Sequence, residues 1–226
     1  MTDIGTLREG PLHAALKAWV AEPGDRLEVA VEGFVVDVVR DDLLIEVQTG
    51  GFSALGPKLD TLLDRHRVRI LAPLAARTKV TKVSDDGEVV SDRWSPKREP
   101  TMAIFARLVS FPTLLAHPHL EVQVVGTTQR QVRRHHEGKA WRRRGWVTEE
   151  RHLLEVVDDV VLGSPEDALA LLPDDLPTEF GTAELASSAG IPRRLAQQAV
   201  YCLTAMDTLT EVGRDGNARR YVRTQG

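Results

Sequence analysis

Residues 34–48 read FVVDVVRDDLLIEVQ: two β-rich runs, Phe34 to Val39 and Leu43 to Gln48, on either side of the turn pair Asp41-Asp42. Both runs are apolar enough for two buried faces, so the carboxylates of Asp37 and Glu46 interrupt them and need a reason. With Asp41-Asp42 at the centre of a tight hairpin, Arg40 faces Leu43, Val38 faces Ile45 and Asp37 faces Glu46. Directly opposed residues have Cβ atoms about 4.5–5.5 Å apart, where two like charges are destabilising unless a proton or a cation lies between them. A divalent metal meets that need. Gln48 projects from the same face as Glu46, opposite Val35, and makes a third polar member of the patch. The alternative is a pair of solvated strand charges beside a turn.

The elements on either side extend this hairpin. Upstream, Pro11 suits a first helical position, and Leu12, Leu16, Trp19 and Val20 recur on one face until Pro23-Gly24 stops the run. Leu27 to Val31 is a further strand, set off by Glu32-Gly33, so three strands form a meander. Downstream, Pro57 opens a second helix through Leu59, Leu62 and Leu63, and Val68 to Leu71 is a short strand ending at Pro73. The predicted order is α-β-β-β-α-β.

From about Glu9 to Leu71, this order and these acids resemble the PD-(D/E)xK nuclease superfamily, and the layout is also similar to that of an uncharacterised bacterial family. The resemblance implies a restriction-endonuclease-like α/β core, a mixed sheet flanked by helices. It maps Asp37 and Glu46-Val47-Gln48 onto the acid and the acid-x-Lys that bind one or two magnesium ions (or manganese), with the Val47 carbonyl as a further ligand. Gln48 stands where the family usually has Lys; an amide orients water but supplies no positive charge to a developing pentavalent phosphate. Some members, as in the competence-protein branch, carry Gln here, and others move the Lys onto the following helix, where Lys58 stands. Asp37, Glu46, Gln48 and Lys58 are thus the candidate catalytic residues. Family members often carry an acid on the first helix, and Glu9, His13 and Lys17, spaced at i, i+4 and i+8, would form a polar edge of the same site. The plainer reading makes Lys58 a solvated helix lysine and His13 a boundary residue beside Leu12 and Leu16.

Further along, Lys79 to Val83 and Glu88 to Val90 flank Asp86-Gly87 as a hairpin, Thr101 to Val109 is helical, and Leu120 to Val125 is a strand that extends the sheet. His117 and His119, split by Pro118 with no acid nearby, read as a loop rather than a metal pair. Residues 126–147 are basic, polar and weakly periodic, and read as a loop or an edge ribbon. Within them RQVRRHHEGKAWRRRGW interleaves arginines, Arg142, Arg143 and Arg144 among them, with Trp141 and Trp146. That pattern suits a phosphate-tracking groove with stacking aromatics, and equally a solvated edge strand whose tryptophans pack on the core.

Pro165 to Leu172 is a short helix, and PDDLP at Pro173 to Pro177 is the predicted boundary between a nuclease-like domain, 1–172, with its basic ribbon at about 126–151, and a domain at 173–226. Thr182 caps a short helix, Gly190 makes a turn, and Pro192 starts a longer helix with Leu195, Ala199, Cys202, Leu203 and Met206 at helical spacing. Its other face carries Arg193, Arg194, Gln197, Gln198 and Tyr201, suited to major-groove edges and phosphates. Leu209 to Val212 and Ala218 to Val222 flank Asp215-Gly216 as a hairpin bearing Arg214, Arg219, Arg220 and Arg223. From Thr178 to Arg223 this resembles a winged helix-turn-helix. The resemblance implies DNA binding; protein contact or homodimer formation is the other use of such a module.

Composition sets outer limits. The formal charge of -4 argues against a whole-chain polyanion binder and confines any nucleic-acid contact to local basic clusters. A lone cysteine, Cys202, excludes an intramolecular disulfide and a cysteine zinc site. No run approaches the roughly 18 apolar residues of a membrane span, and MTDIGTLREG lacks a leader pattern, so a cytoplasmic location with no membrane partner is expected. The function expected is a magnesium-dependent DNA phosphodiesterase targeted by a winged helix. Its rival is a non-catalytic DNA-binding regulator with a degenerate nuclease-like domain.

Overall fold

The computed structural model describes residues 9–224, so the reading of residues 1–8 lies outside the described residues. The protein is α/β. The first helix, α1 (Pro11–Val20), has Pro at its first position, and the chain turns at Pro23-Gly24 soon after it ends. A meander follows: β1 (Arg26–Val31), β2 (Phe34–Arg40) and β3 (Leu43–Val47). Leu12, Leu16 and Val20 of α1 are buried with Val38, Leu43, Ile45 and Val47, and this cluster also takes in Leu71 and Val125. Trp19, read onto the same face, is exposed. Arg40 fixes the helix end: its Nη2 donates to the Val20 carbonyl at 2.6 Å and to Asp25 Oδ2 at 2.8 Å.

The β2–β3 register follows the tight-hairpin expectation, with Arg40 opposite Leu43 and Val38 opposite Ile45. After α2 (Gly56–Leu62) come β4 (Arg67–Val83), β5 (Val89–Trp94), α3 (Phe105–Leu108), β6 (Leu120–His135) and β7 (Trp146–Leu162). The seven strands form one sheet in the order β1-β2-β3-β4-β6-β7, with β5 also against β4.

Two predicted breaks are absent. The strand expected to end at Pro73 runs on to Val83. Gln48 N–H donates to the Leu71 carbonyl at 2.9 Å, and on the β5 side the ladder begins only at Lys79–Trp94. Pro73 lies between these two positions along β4. Ala75 N–H, two residues on, goes to the Glu99 carboxylate at 3.0 Å. The segment 126–147, expected as loop or edge ribbon, is instead the continuation of β6, a turn, and the start of β7; β7 does lie at the sheet edge. Thr127 and Gln129 escaped a hydropathy reading because they are buried and satisfied by each other: Gln129 Nε2 donates to Thr127 Oγ1, which donates to the Leu74 carbonyl, both at 2.8 Å. Thr127→Val keeps the shape but orphans the Leu74 carbonyl and the Gln129 amide. We expect it to cost about 1–2 kcal/mol in urea unfolding, and no change would mean that the pair is dispensable.

The C-terminal elements are α4 (Pro165–Leu169), α5 (Thr182–Ser188), α6 (Arg193–Ala205) and the hairpin β8 (Leu209–Asp215) with β9 (Ala218–Arg223). Gly181, rather than Thr182, occupies the cap position of α5, and Glu184 reaches back to the Gly181 N–H at 3.1 Å. Gly190, at φ +61°, supplies the left-handed turn between α5 and α6. Fully buried Phe180 bridges to Tyr221 of β9 through two backbone hydrogen bonds of 2.8 and 3.0 Å.

The chain divides into two compact units, but not at Pro173. One holds the chain up to Thr49, with Leu71–Pro100 and Val125–Asp159; the other holds Gly50–Ile70, Thr101–Val124 and the chain from Val160 on. The reason lies in α6, whose apolar face needs more cover than the last fifty residues provide. It packs on α3, with Cys202 Sγ 4.0 Å from the Phe105 carbonyl.

Candidate functional site

In the first unit, α1 and the meander gather five ionisable side chains around an open cavity of about 380 Å³: Glu9, His13, Lys17, Glu28 and Asp37. Glu9 precedes the helix, and the i+4 and i+8 spacing brings His13 Nδ1 to 2.5 Å and Lys17 Nζ to 2.8 Å of its Oε1. His13 Nε2 lies 3.2 Å from Asp37 Oδ2. That oxygen also accepts the Val47 N–H at 2.8 Å, so β3 gives its backbone donor to the Asp37 side chain one step beyond the last β2–β3 pair, Val38–Ile45. Lys17 Nζ reaches Glu28 Oε1 at 2.6 Å.

The electrostatics follow from this chain of contacts. The hydrogen bond to Asp37 raises the His13 pKa to about 9 despite the opposing effect of burial, with Glu9 adding to the rise. His13 is therefore an imidazolium at neutral pH, with both nitrogens donating. Burial pushes the Glu9 carboxyl up, but the bonds from Lys17 and His13 prevail and hold it low. Burial likewise opposes the charge on Lys17, and the bonds to Glu28 and Glu9 outweigh it.

The expected edge residues Glu9, His13 and Lys17 thus form the centre of the cluster with Asp37. Glu46 and Gln48 are half-buried and neither lines this cavity. Val47 contributes its N–H, and Lys58 belongs to the other compact unit. Glu28 was missed, although a signal for it exists. It falls between the pairs Leu27–Val38 and Val29–Val36, across β1–β2 from Asp37, and its φ of +52° marks a local distortion of the strand.

As arranged, these residues do not fit a divalent ion. The cations His13 and Lys17 sit between the carboxylates, and no group of three or more His, Cys, Asp or Glu among the described residues could hold a metal. Elsewhere, the buried Cys202 thiol is pushed up to about 12 by burial, which removes it as a nucleophile.

In the second unit, α6 buries Leu195, Ala196, Ala199, Cys202 and Leu203, and exposes Arg193, Arg194, Gln197 and Tyr201, with Gln198 half-exposed. The hairpin arginines differ from one another. Arg220 is spent on Glu184 at 2.5 Å and Glu179 at 3.3 Å, whereas Arg219 makes an exposed contact with Glu211 at 3.2 Å. On the β6–β7 turn, in the first unit, Arg142, Arg143 and Arg144 are exposed. The two tryptophans there divide the two readings: Trp146 packs under Lys82 Nζ at 4.4 Å, while Trp141 is 80% exposed with Arg142 over its ring. No helix among the described residues is long and apolar enough to cross a membrane.

No solved structure matches the chain. An uncharacterized protein of Treponema pallidum (strain Nichols) is 37% identical over 123 residues, which cover 54% of this chain and 49% of the relative. The chain thus spans about half the length of that relative. The family model described as "Domain of unknown function (DUF8091)" matches residues 10–163, from the start of α1 to the end of β7, and the chain belongs to that family.

Proposed function

We infer that this is a DNA-binding protein of the cytoplasm, and that α5, α6 and the β8–β9 hairpin act as a winged helix-turn-helix. The observation that carries the reading is the division of α6 into a buried apolar face and an exposed face of Arg193, Arg194, Gln197 and Tyr201. Guanidiniums near the start of a helix suit phosphates and guanine edges, and the amide of Gln197 suits adenine. The Phe180–Tyr221 bridge supports the same assignment by tying the segment before α5 to the hairpin. Arg220, tied to Glu179 and Glu184, holds the hairpin; Arg219 is the wing residue better placed for phosphate. A homodimer would set two such helices on half-sites about one helical turn apart.

The test is a titration of the full chain against duplex DNA at 50 and 200 mM salt. We expect binding that weakens steeply with salt, by a log-log slope of about -0.9 per phosphate contact. Absence of salt-dependent binding would leave α6 as a protein-contact surface.

A second reading, metal-dependent phosphodiester cleavage, rests on the resemblance of Asp37 and Glu46-Val47-Gln48 to the nuclease motif and not on the arrangement of Glu9, Glu28 and Asp37, between which His13 and Lys17 lie. It requires His13 and Lys17 to yield to the metal. Magnesium or manganese would then raise the melting temperature of the wild type but not of Asp37→Asn, by mass action on the native state. An equal response in both proteins, with no cleavage of duplex, single-stranded or branched DNA, leaves the non-catalytic reading alone.

A further inference from the structure

A second cavity in the first unit, of about 200 Å³, is lined by four cationic side chains, Lys97, Arg133, Arg143 and Arg151, and by one anionic side chain, Glu99. Glu99 is already committed: it accepts the Ala75 N–H at 3.0 Å and lies 3.5 Å from Lys97. That leaves three guanidiniums without a carboxylate partner among the described residues. Arg133 is the most constrained of them. Its Nη2 donates to Gln131 at 2.9 Å, but its Nε is buried with no hydrogen-bond partner. Buried donors are nearly always satisfied, so Arg133 lines the cavity with a guanidinium whose hydrogen bonds to the described residues are incomplete.

We propose that this cavity is a binding site for a phosphate monoester dianion, with Arg133, Arg143 and Arg151 as its ligands. Three guanidiniums more than offset the two charges of a dianion, and their forked N–H groups suit its several oxygens; the Thr148 hydroxyl adds a neutral donor on the wall. The volume admits a phosphate group at the end of a chain or on a small ester. Burial, and then the charges of Arg143 and Arg93, lower the Arg133 pKa, the strain expected where like charges are held together without their anion. Thr49 lines both this cavity and the one holding His13 and Asp37, so the bound group would stand beside that cluster. The site belongs to a different compact unit from α6 and does not depend on the winged-helix reading.

The phosphate can come from a small ester or from a nucleic-acid end, and calorimetry of the full chain at constant ionic strength separates the two. With inorganic phosphate as probe, we expect saturable binding that weakens about tenfold or more in Arg143→Ala and in Arg133→Gln. Lys139→Ala removes the same charge from the same turn without lining the cavity, and should stay within about twofold of wild type, which general attraction would not allow. Arg143 is exposed, so its variant keeps the test intact if Arg133→Gln fails to fold. A preference of about tenfold for a 5′-phosphorylated over a 5′-hydroxyl oligonucleotide assigns the site to nucleic-acid ends; equal binding of the two, with phosphate binding retained, assigns it to a small phosphate ester. No saturable phosphate binding, or an equal loss in Lys139→Ala, overturns the proposal.

Discussion

Stability is expected to fall by about 2–3 kcal/mol as the pH rises from 6 to above 9, with His13 as the group responsible. Its pKa is 6.5 as a free side chain and about 9 in the fold. Below 6.5 both states are protonated and the Asp37 and Glu9 contacts contribute in full. Between the two values only the folded state holds the proton, so each step up in pH favours unfolding. Above about 9 the imidazole is neutral in both states and the contribution is gone. Lys17 does not interfere, because its pKa is raised from an already higher value. Asp37→Asn keeps an acceptor for the Val47 N–H but removes the charge facing His13, and should flatten most of this slope. The check is urea unfolding of both proteins at pH 6, 7.5 and 9.5. Parallel pH profiles for wild type and variant would show that the pair is not coupled.

How much of this cluster was legible depended on whether the signal was local. The turn pair Asp41-Asp42 and the apolar runs beside it are enough to set Val38 against Ile45, and that register holds. Register alone does not reveal that the Asp37 carboxylate meets His13 on α1 and the Val47 N–H. Helix-to-strand contacts of that kind depend on tertiary placement, which hydrophobic periodicity does not carry. Glu28 was within reach, since continuing the pairing across the Glu32-Gly33 turn sets it opposite Asp37. The extent of β6 was not. Thr127 and Gln129 look like loop residues by hydropathy, and only their mutual hydrogen bond makes them tolerable inside a sheet. In the C-terminal part more was legible: apolar spacing, Gly190 and the Asp215-Gly216 turn are local signals, and the helix-turn-helix-hairpin order follows from them.

The other large effect concerns α6. Replacing Arg193 and Arg194 together with alanine should lower duplex affinity by about 30- to 100-fold at low salt, roughly 2–3 kcal/mol, because two exposed charges at the start of the helix are lost. Both side chains are exposed and contribute nothing to the buried face of α6, so folding should be unaffected. Gln197→Ala is expected to act differently, changing preference between sequences more than overall affinity, since an amide reads base edges while a guanidinium also neutralises phosphate.

Fluorescence anisotropy of a labelled duplex, titrated with the full chain and with the Arg193→Ala, Arg194→Ala double variant at 50 and 200 mM salt, tests the DNA-binding reading most directly. The account predicts salt-dependent wild-type binding and, in the variant, both weaker binding and a salt slope shallower by about 2. Identical affinities and slopes for the two proteins would contradict it.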